Sequence, residues 1–195
     1  MNKVYGLKSD YAAVKKDASR VIVCYGFEEV DGENATWYEV YLPMSQMQQL
    51  NINVVKEAVY GDINARTDDN ILEGFVWNDI KVWLSAENQR NFSEAQRMAS
   101  AIPSILPLTF KLGETEEEEP VYHTFESVEE LDGFYVSAFA YINQCLNQGW
   151  QEKDAIDWQP YEEAIEEINK EPEPETEPEP EEEETPSDEP ENQAE

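Results

Sequence analysis

The chain has 195 residues and a formal net charge of −31, from 44 acidic and 13 basic side chains and one histidine. That balance repels the phosphates of nucleic acid and the headgroups of anionic membranes, so neither is expected as a partner. Cys24, His123 and Cys145 are too few and too scattered for a zinc site, and two cysteines make no disulfide framework.

At the start, Met1–Gly6 is followed by polar residues and not by the apolar stretch of a signal peptide. No apolar run approaches the roughly 18 residues that span a bilayer. The chain is therefore expected to stay in the cytoplasm where it is made. Asp10–Lys16 is expected as a short helix. Ser19–Val30 reads as a strand leading into the turn cluster Asp31-Gly32-Glu33-Asn34. Thr36–Leu42 is its partner strand, and Pro43 stops it. In Asn51–Arg66, the spacing of Ile52, Val55, Val59 and Ile63 makes one apolar helical face.

A second unit of the same order follows. Strands are expected at about 72–77 and 80–84, joined by Asn78-Asp79, residues that tolerate the positive φ of a tight turn. Ser85 sits where an N-cap belongs, with Glu87 in the first turn of a helix over Ala86–Ala101. Phe92, Ala95, Ala99 and Ile102 form its inner stripe, and Pro103 ends it. The third unit pairs Leu106–Leu112 with Val121–Phe125 across an acidic loop that includes Glu116–Glu119. Ser127 and Glu130 then make a capping box. The helix they open carries Leu131, Phe134, Tyr135, Ala138, Ile142, Cys145 and Leu146 inward, with Gly149 as its C′ residue.

Beyond Trp150 the text changes. Asp154–Trp158 and Tyr161–Ile168 are expected as short helices, with Trp158, Tyr161, Ile165 and Ile168 packing back. Residues 171–195 hold thirteen acids, six prolines and no base, so the first 170 residues carry −31 + 13 = −18. This tail lacks the apolar surface to offset its ordering entropy and is expected to be disordered. It either docks a partner or only keeps the protein soluble. The fold class is α+β: antiparallel β-hairpins each followed by a helix (ββα units), helices on one sheet face, and a disordered acidic C-terminal tail. The units divide as 1–70, 71–168 and 169–195.

Candidate chemistry is sparse. His123, between Tyr122 and Thr124 in a strand, reads as packed or outward-facing and not catalytic. Cys24 and Cys145 lie in apolar contexts and read as buried free thiols. Asp62–Asn70 superficially resembles a carboxylate loop but lacks the glycine and the bidentate glutamate of an EF-hand. No glycine-rich phosphate loop is present. The aromatic strand residues Trp37, Tyr38, Tyr41, Trp77 and Trp83 are core material first, with an interaction surface for those that face out. No catalytic, cofactor-binding or metal residue is assigned, and the expectation is a protein that is not an enzyme.

Asn78–Gln89 with the helix after it, Leu106–Leu112, and Ser127-Val128-Glu129-Glu130-Leu131 with its long helix resemble a domain of unknown function found in bacteriophage tail-fibre and tail-associated proteins. In that family a turn and a short apolar strand ending in Ser or Asp open a helix. A strand pair follows, and a Ser/Thr-x-x-Glu-Leu helix closes the unit. The likeness covers about residues 72–158. Val21–Phe27 and Ala65-Arg66-Thr67-Asp68 resemble uncharacterised proteins of Bacteroidales phages or prophages. The motif positions are structural, so no functional residue is carried over. The resemblance implies a phage structural or tail-fibre assembly protein, in the host cytoplasm or incorporated in the virion, that contacts other phage proteins. The alternative is an acidic intracellular binding module, a nucleic-acid mimic or host-protein inhibitor with a basic host protein as its partner.

Overall fold

The structure is a computed structural model that describes residues 2–43, 50–115 and 117–170. Met1, residues 44–49, Glu116 and the acidic tail from residue 171, including its expected disorder, lie outside the described residues. Strands β3 (Arg20–Glu29) and β4 (Asn34–Pro43) form the expected hairpin. Asp31 closes its turn by accepting from the backbone N–H of Glu33 and Asn34. Two short strands flank the hairpin, β1 (Lys3–Leu7) on β4 and β2 (Val14–Lys16) on β3, so the sheet order is β1-β4-β3-β2, all antiparallel. The helix expected over Asp10–Lys16 is replaced by a 3-10 turn at Lys8–Asp10 and by β2. Val14 pairs with Val23 and is buried there, and that edge pairing outweighs the local helical preference of a short polar segment.

Helix α1 runs over Ile52–Glu73, capped by Asn51, whose side chain accepts from Asn53 and Val54 N–H. It continues past the expected end at Arg66, so Asp62–Asn70 is helix and neither a polar turn nor a loop. At about 1.5 Å per residue it is about 33 Å long, enough to serve two cores. Val55, Val59 and Ile63 pack with Val21, Val23, Tyr25 and Leu42 against one face of the four-stranded sheet. Ile71, two turns on, belongs to the second core. The division drawn near residue 70 falls inside this helix.

The second core is built on two hairpins. Strands β5 (Phe75–Trp77) and β6 (Ile80–Val82) are joined by Asn78 and Asp79 at φ 48° and 62°, the expected left-handed turn. Leu72 belongs to α1, and Leu84 N–H donates to its carbonyl, so the first strand starts later than expected. Strands β7 (Leu108–Glu114) and β8 (Pro120–Phe125) form their own hairpin. It lies against β6 through one backbone hydrogen bond, Trp83 N–H to Leu112 C=O at 2.8 Å. There Gly113 admits no side chain, because a Cβ would lie 2.3 Å from the Lys81 carbonyl oxygen.

Helix α2 (Ala86–Ala101) starts at Ser85, whose hydroxyl accepts from Asn88 N–H. Phe92, Ala95 and Ala99 are buried as expected, whereas Ile102, beyond the last turn, is exposed. Helix α3 (Val128–Asp154) starts at Ser127, which accepts from Glu130 N–H. The reciprocal arm of the capping box is displaced: Glu130 accepts from Glu126 N–H and from His123, not from Ser127. Nor does α3 end at Gly149. That glycine is buried mid-helix against Thr67 of α1, where a Cβ would lie 2.6 Å from the hydroxyl. Close helix packing, not a C-terminal turn, explains it. Phe134 centres this core, its ring 4.9–6.2 Å from those of Phe75, Trp77, Phe92 and Phe125.

Helix α4 (Gln159–Lys170) packs back through Tyr161 and Ile165, which enter the core of the N-terminal sheet. Helices α1 and α4 thus cover one face of that sheet. The other face holds a small cluster of Cys24, Ala35 and Trp37, with Tyr11 packed over it. The architecture is α+β with antiparallel sheets.

Candidate functional site

The chain's most elaborate polar cluster lies where α1, α3 and the sheet meet. Arg66, on α1, is largely buried. Its Nη2 donates to Glu152 Oε1 of α3 at 2.5 Å and to the Tyr25 hydroxyl of β3 at 3.1 Å. The guanidinium lies 4.0 Å from the ring centre of Tyr38 on β4. Its Nε is 3.5 Å from Asp62 Oδ2, within ion-pair range but without an aligned hydrogen bond, and it is the one buried side-chain nitrogen or oxygen without a partner among the described residues. Tyr25 in turn donates to Asp62 at 2.5 Å. A planar guanidinium can stack on a ring and donate in its own plane together, which a lysine cannot.

Beside this cluster opens a cleft of about 480 Å³. A β-bulge shapes it. Gly26, at φ +65°, breaks the register between β3 and β4 and turns Phe27 out to meet the Tyr11 ring at 4.9 Å. Tyr161 from α4 forms the floor. Its hydroxyl donates to the Cys24 carbonyl at 2.9 Å, and the Tyr11 hydroxyl reaches the same oxygen at 3.4 Å. Glu152, near the C-terminal end of α3 and paired with Arg66, and Asp157, in the α3–α4 connection, line the other wall. The helix C-terminus adds partial negative charge to it. The site is aromatic, with the Asp157 carboxylate unshared by Arg66, and aromatic faces of this kind attract ammonium and guanidinium groups.

The protonation states here are fixed far from neutrality. Burial, reinforced by the Asp62 carboxylate, pushes the Tyr25 hydroxyl up. Burial and the neighbouring Tyr11 do the same to Tyr161. Burial raises Tyr11, with its contact to Tyr161 working the other way. Burial would lower Arg66, but its hydrogen bonds to Glu152 and Tyr25 outweigh it and the pKa rises. Burial lifts the Cys24 thiol to about 11. All of these groups are full donors at neutral pH. Of these, Tyr11, Tyr25 and Tyr161 line the cleft, whereas the Cys24 thiol is buried with Trp37 on the other face of the sheet, and none is poised to take a proton from a ligand.

The other sequence candidates lie elsewhere. His123 packs edge-on against Trp77 and Phe125, with Nε2 2.9 Å from Glu130 Oε1. Cys24 and Cys145 are both buried and free. Among the described residues no group of three or more His, Cys, Asp or Glu side chains is placed to hold a metal ion. No helix among them is long and apolar enough to cross a membrane. Sequence reasoning passed over Arg66 and Gly26 as functional positions. A glycine inside a strand pattern, as in Tyr25-Gly26-Phe27, was a usable signal for the bulge. Arg66 showed only its i−4 neighbour Asp62 locally, since its hydrogen-bond partners Tyr25 and Glu152 lie 41 and 86 residues away.

These features define an α+β protein with an aromatic cleft between its N-terminal sheet and the α3–α4 connection, with Glu152 and Asp157 in its wall. The family model for Domain of unknown function (DUF4376) matches residues 54–172, and the chain belongs to that family. Comparison with curated proteins gives no match, and comparison with solved structures gives none either.

Proposed function

We propose that this protein is a non-enzymatic component of a bacteriophage tail or tail-fibre assembly, acting through protein–protein contacts, with the Tyr11–Phe27–Tyr161 cleft receiving a basic side chain of its partner. One observation supports the reading: the Tyr25 and Tyr161 hydroxyls and the Arg66 guanidinium beside the cleft are kept protonated by burial and by their hydrogen bonds. Such groups recognise charge and do not shuttle protons. The phage setting rests on the likeness of Asn78–Gln89 and Ser127–Leu131 to tail-associated proteins, segments that form a left-handed turn and two helix caps here. The protein would be made in the host cytoplasm and then join the particle. Mass spectrometry of purified virions and micrographs of particles assembled without the chain test this reading. Virions that lack it and keep normal tails and fibres would overturn it.

A second reading is favoured by charge alone. Acids outnumber bases by 44 to 13, and that excess would steer a basic host protein toward the chain. An inhibitor that mimics nucleic acid would bind such a protein tightly at low salt and release it as salt rises. Capture of a nucleic-acid-binding host protein, competed by DNA, would select this reading over the first.

A further inference from the structure

Each carboxylate in the cleft wall has one oxygen already engaged. Glu152 Oε1 is held by Arg66 Nη2, and Asp157 Oδ1 accepts from the backbone N–H of Gln159 at 3.1 Å, at the start of α4. Neither offers the free pair of oxygens that a guanidinium takes through two parallel hydrogen bonds. The rings are no better arranged for one. Tyr25 is already stacked on Tyr38, and Tyr11 and Phe27 meet at 58°, so they form no parallel walls around a flat cation. Apolar residues fill in the lining, among them Ala12, Ala13, Ala155, Ile156 and Pro160. Asp157 itself is exposed to water.

We infer that the guest of this cleft is a lysine side chain of the partner protein, its ammonium on Asp157 and its methylenes along Ala13, Ile156 and Pro160. The inference rests on the reading of the cleft as the receiver of a basic side chain. A lysine ammonium is a compact point charge, and the second oxygen of Asp157 is enough to meet it. Lysine also lays its stem on apolar surface while its head stays in water. That is the order of surfaces here, an apolar lining beside an exposed carboxylate. Because the carboxylate stays wet, the pairing avoids the desolvation cost of a buried ion pair. Glu152 and Arg66 neutralise one another, so the pull on the guest comes from Asp157 and the C-terminal end of α3. Tyr11 and Phe27, the latter 41% exposed, add rings that attract the charge.

Titration of the full chain with the N-acetyl methylamides of lysine, arginine and norleucine tests this, read from the backbone amide NMR shifts of Gly26, Phe27 and Ile156. The readout must be local, because a chain of net charge −31 draws cations everywhere. The lysine probe should saturate those amides with a Kd on the order of 1–10 mM, the scale of a single side chain, and about 5-fold more tightly than the arginine probe. Norleucine, which has the stem without the charge, should bind more weakly than lysine. Raising salt from about 0.05 M to about 0.5 M should weaken the lysine probe. Asp157→Asn keeps an oxygen for the Gln159 N–H, so the circular dichroism should not change, yet lysine should fall to the level of norleucine. Arginine binding as tightly as lysine, or lysine binding untouched by Asp157→Asn, would overturn the inference and still leave a basic side chain in the cleft. Shifts from neither cation, or from both no larger than those from norleucine, would overturn it together with the part given to the cleft in the proposed function.

Discussion

Replacing Arg66 by Met keeps most of the buried stem and removes the charge that ties α1 to α3 and the sheet. Breaking a buried ion pair by removing one partner costs about 3–5 kcal/mol, chiefly because the surviving charge is left uncompensated. Here the survivors are Asp62 and Glu152, whose side chains remain 24% and 31% exposed, so water recovers part of that penalty. The lost stacking on Tyr38, at 4.0 Å, works in the other direction, being worth up to about 2 kcal/mol for a desolvated cation. Weighing the two gives about 3 kcal/mol, or a fall in Tm of roughly 6–12 °C for a chain of this size. Urea denaturation followed by tryptophan fluorescence reads the free energy, and calorimetry reads the Tm. A double-mutant cycle with Glu152→Gln supplies the internal control, with a coupling of about 1–2 kcal/mol expected for groups in direct contact. A loss under about 1 kcal/mol, or strict additivity in the cycle, would refute the claim that this cluster ties α1 to α3 and the sheet.

Three further outcomes follow from the same kind of reading. Burial would raise the Glu39 pKa, but the Trp37 indole at 3.1 Å and the Tyr41 hydroxyl at 2.9 Å, with Lys15, outweigh it and hold the carboxyl below its ordinary 4.5. Its stabilisation is therefore complete above the unfolded value and lost as pH falls through the lower folded one. Glu39→Gln should cost about 1 kcal/mol at neutral pH, and the gap from the native chain should close as pH falls below the ordinary glutamate value in pH-dependent urea melts. Gly113→Ala forces the two hairpins apart, because the obstructing Lys81 carbonyl is backbone and cannot rotate away; a loss of about 2–4 kcal/mol by chemical denaturation is expected. The Cys24 thiol, fully buried and pushed up to about 11, should resist a thiol reagent at mildly alkaline pH until denaturant is added, and rapid native labelling at that position would contradict the packing.

Elements whose cause is local were legible in the sequence. The Asn78-Asp79 turn, the Ser85 and Ser127 caps and the Val55–Ile63 stripe each depend on neighbours within a turn or two, and each is where its residue types place it. What was not legible depends on distant pairing. Strands β1 and β2 are three to five residues long and exist because β3 and β4 offer them edges. Gly149 looked like a helix stop because the sequence carries no sign that Thr67 would lie against it. The candidate site suffers most from this, since its parts come from β3, β4, α1, α3 and α4. Only Gly26 advertised itself.

The family-matched region, residues 54–172, leaves out the four-stranded sheet but keeps α1 and α4, the helices that cover it. Excised at those bounds, the chain would lose the surface against which Val59, Ile63, Tyr161 and Ile165 are buried, and Arg66 would lose Tyr25 and Tyr38. Full burial of such side chains is worth about 1.5–3 kcal/mol each. The sum approaches 10 kcal/mol, comparable to the roughly 5–15 kcal/mol that holds a whole domain together. The excised piece should therefore lack the cooperative unfolding of the full chain and should bind a dye for exposed apolar surface, unless another sheet covers it. The hairpin core around Phe134 gains nothing from the sheet directly, so any residual cooperativity should reside there, readable as slow hydrogen exchange in α2 and the middle of α3. A fragment that unfolds with the same midpoint and steepness as the full chain would show instead that α1 and α4 need no sheet. The sheet would then be an accessory to a self-sufficient domain, and not the second half of one core.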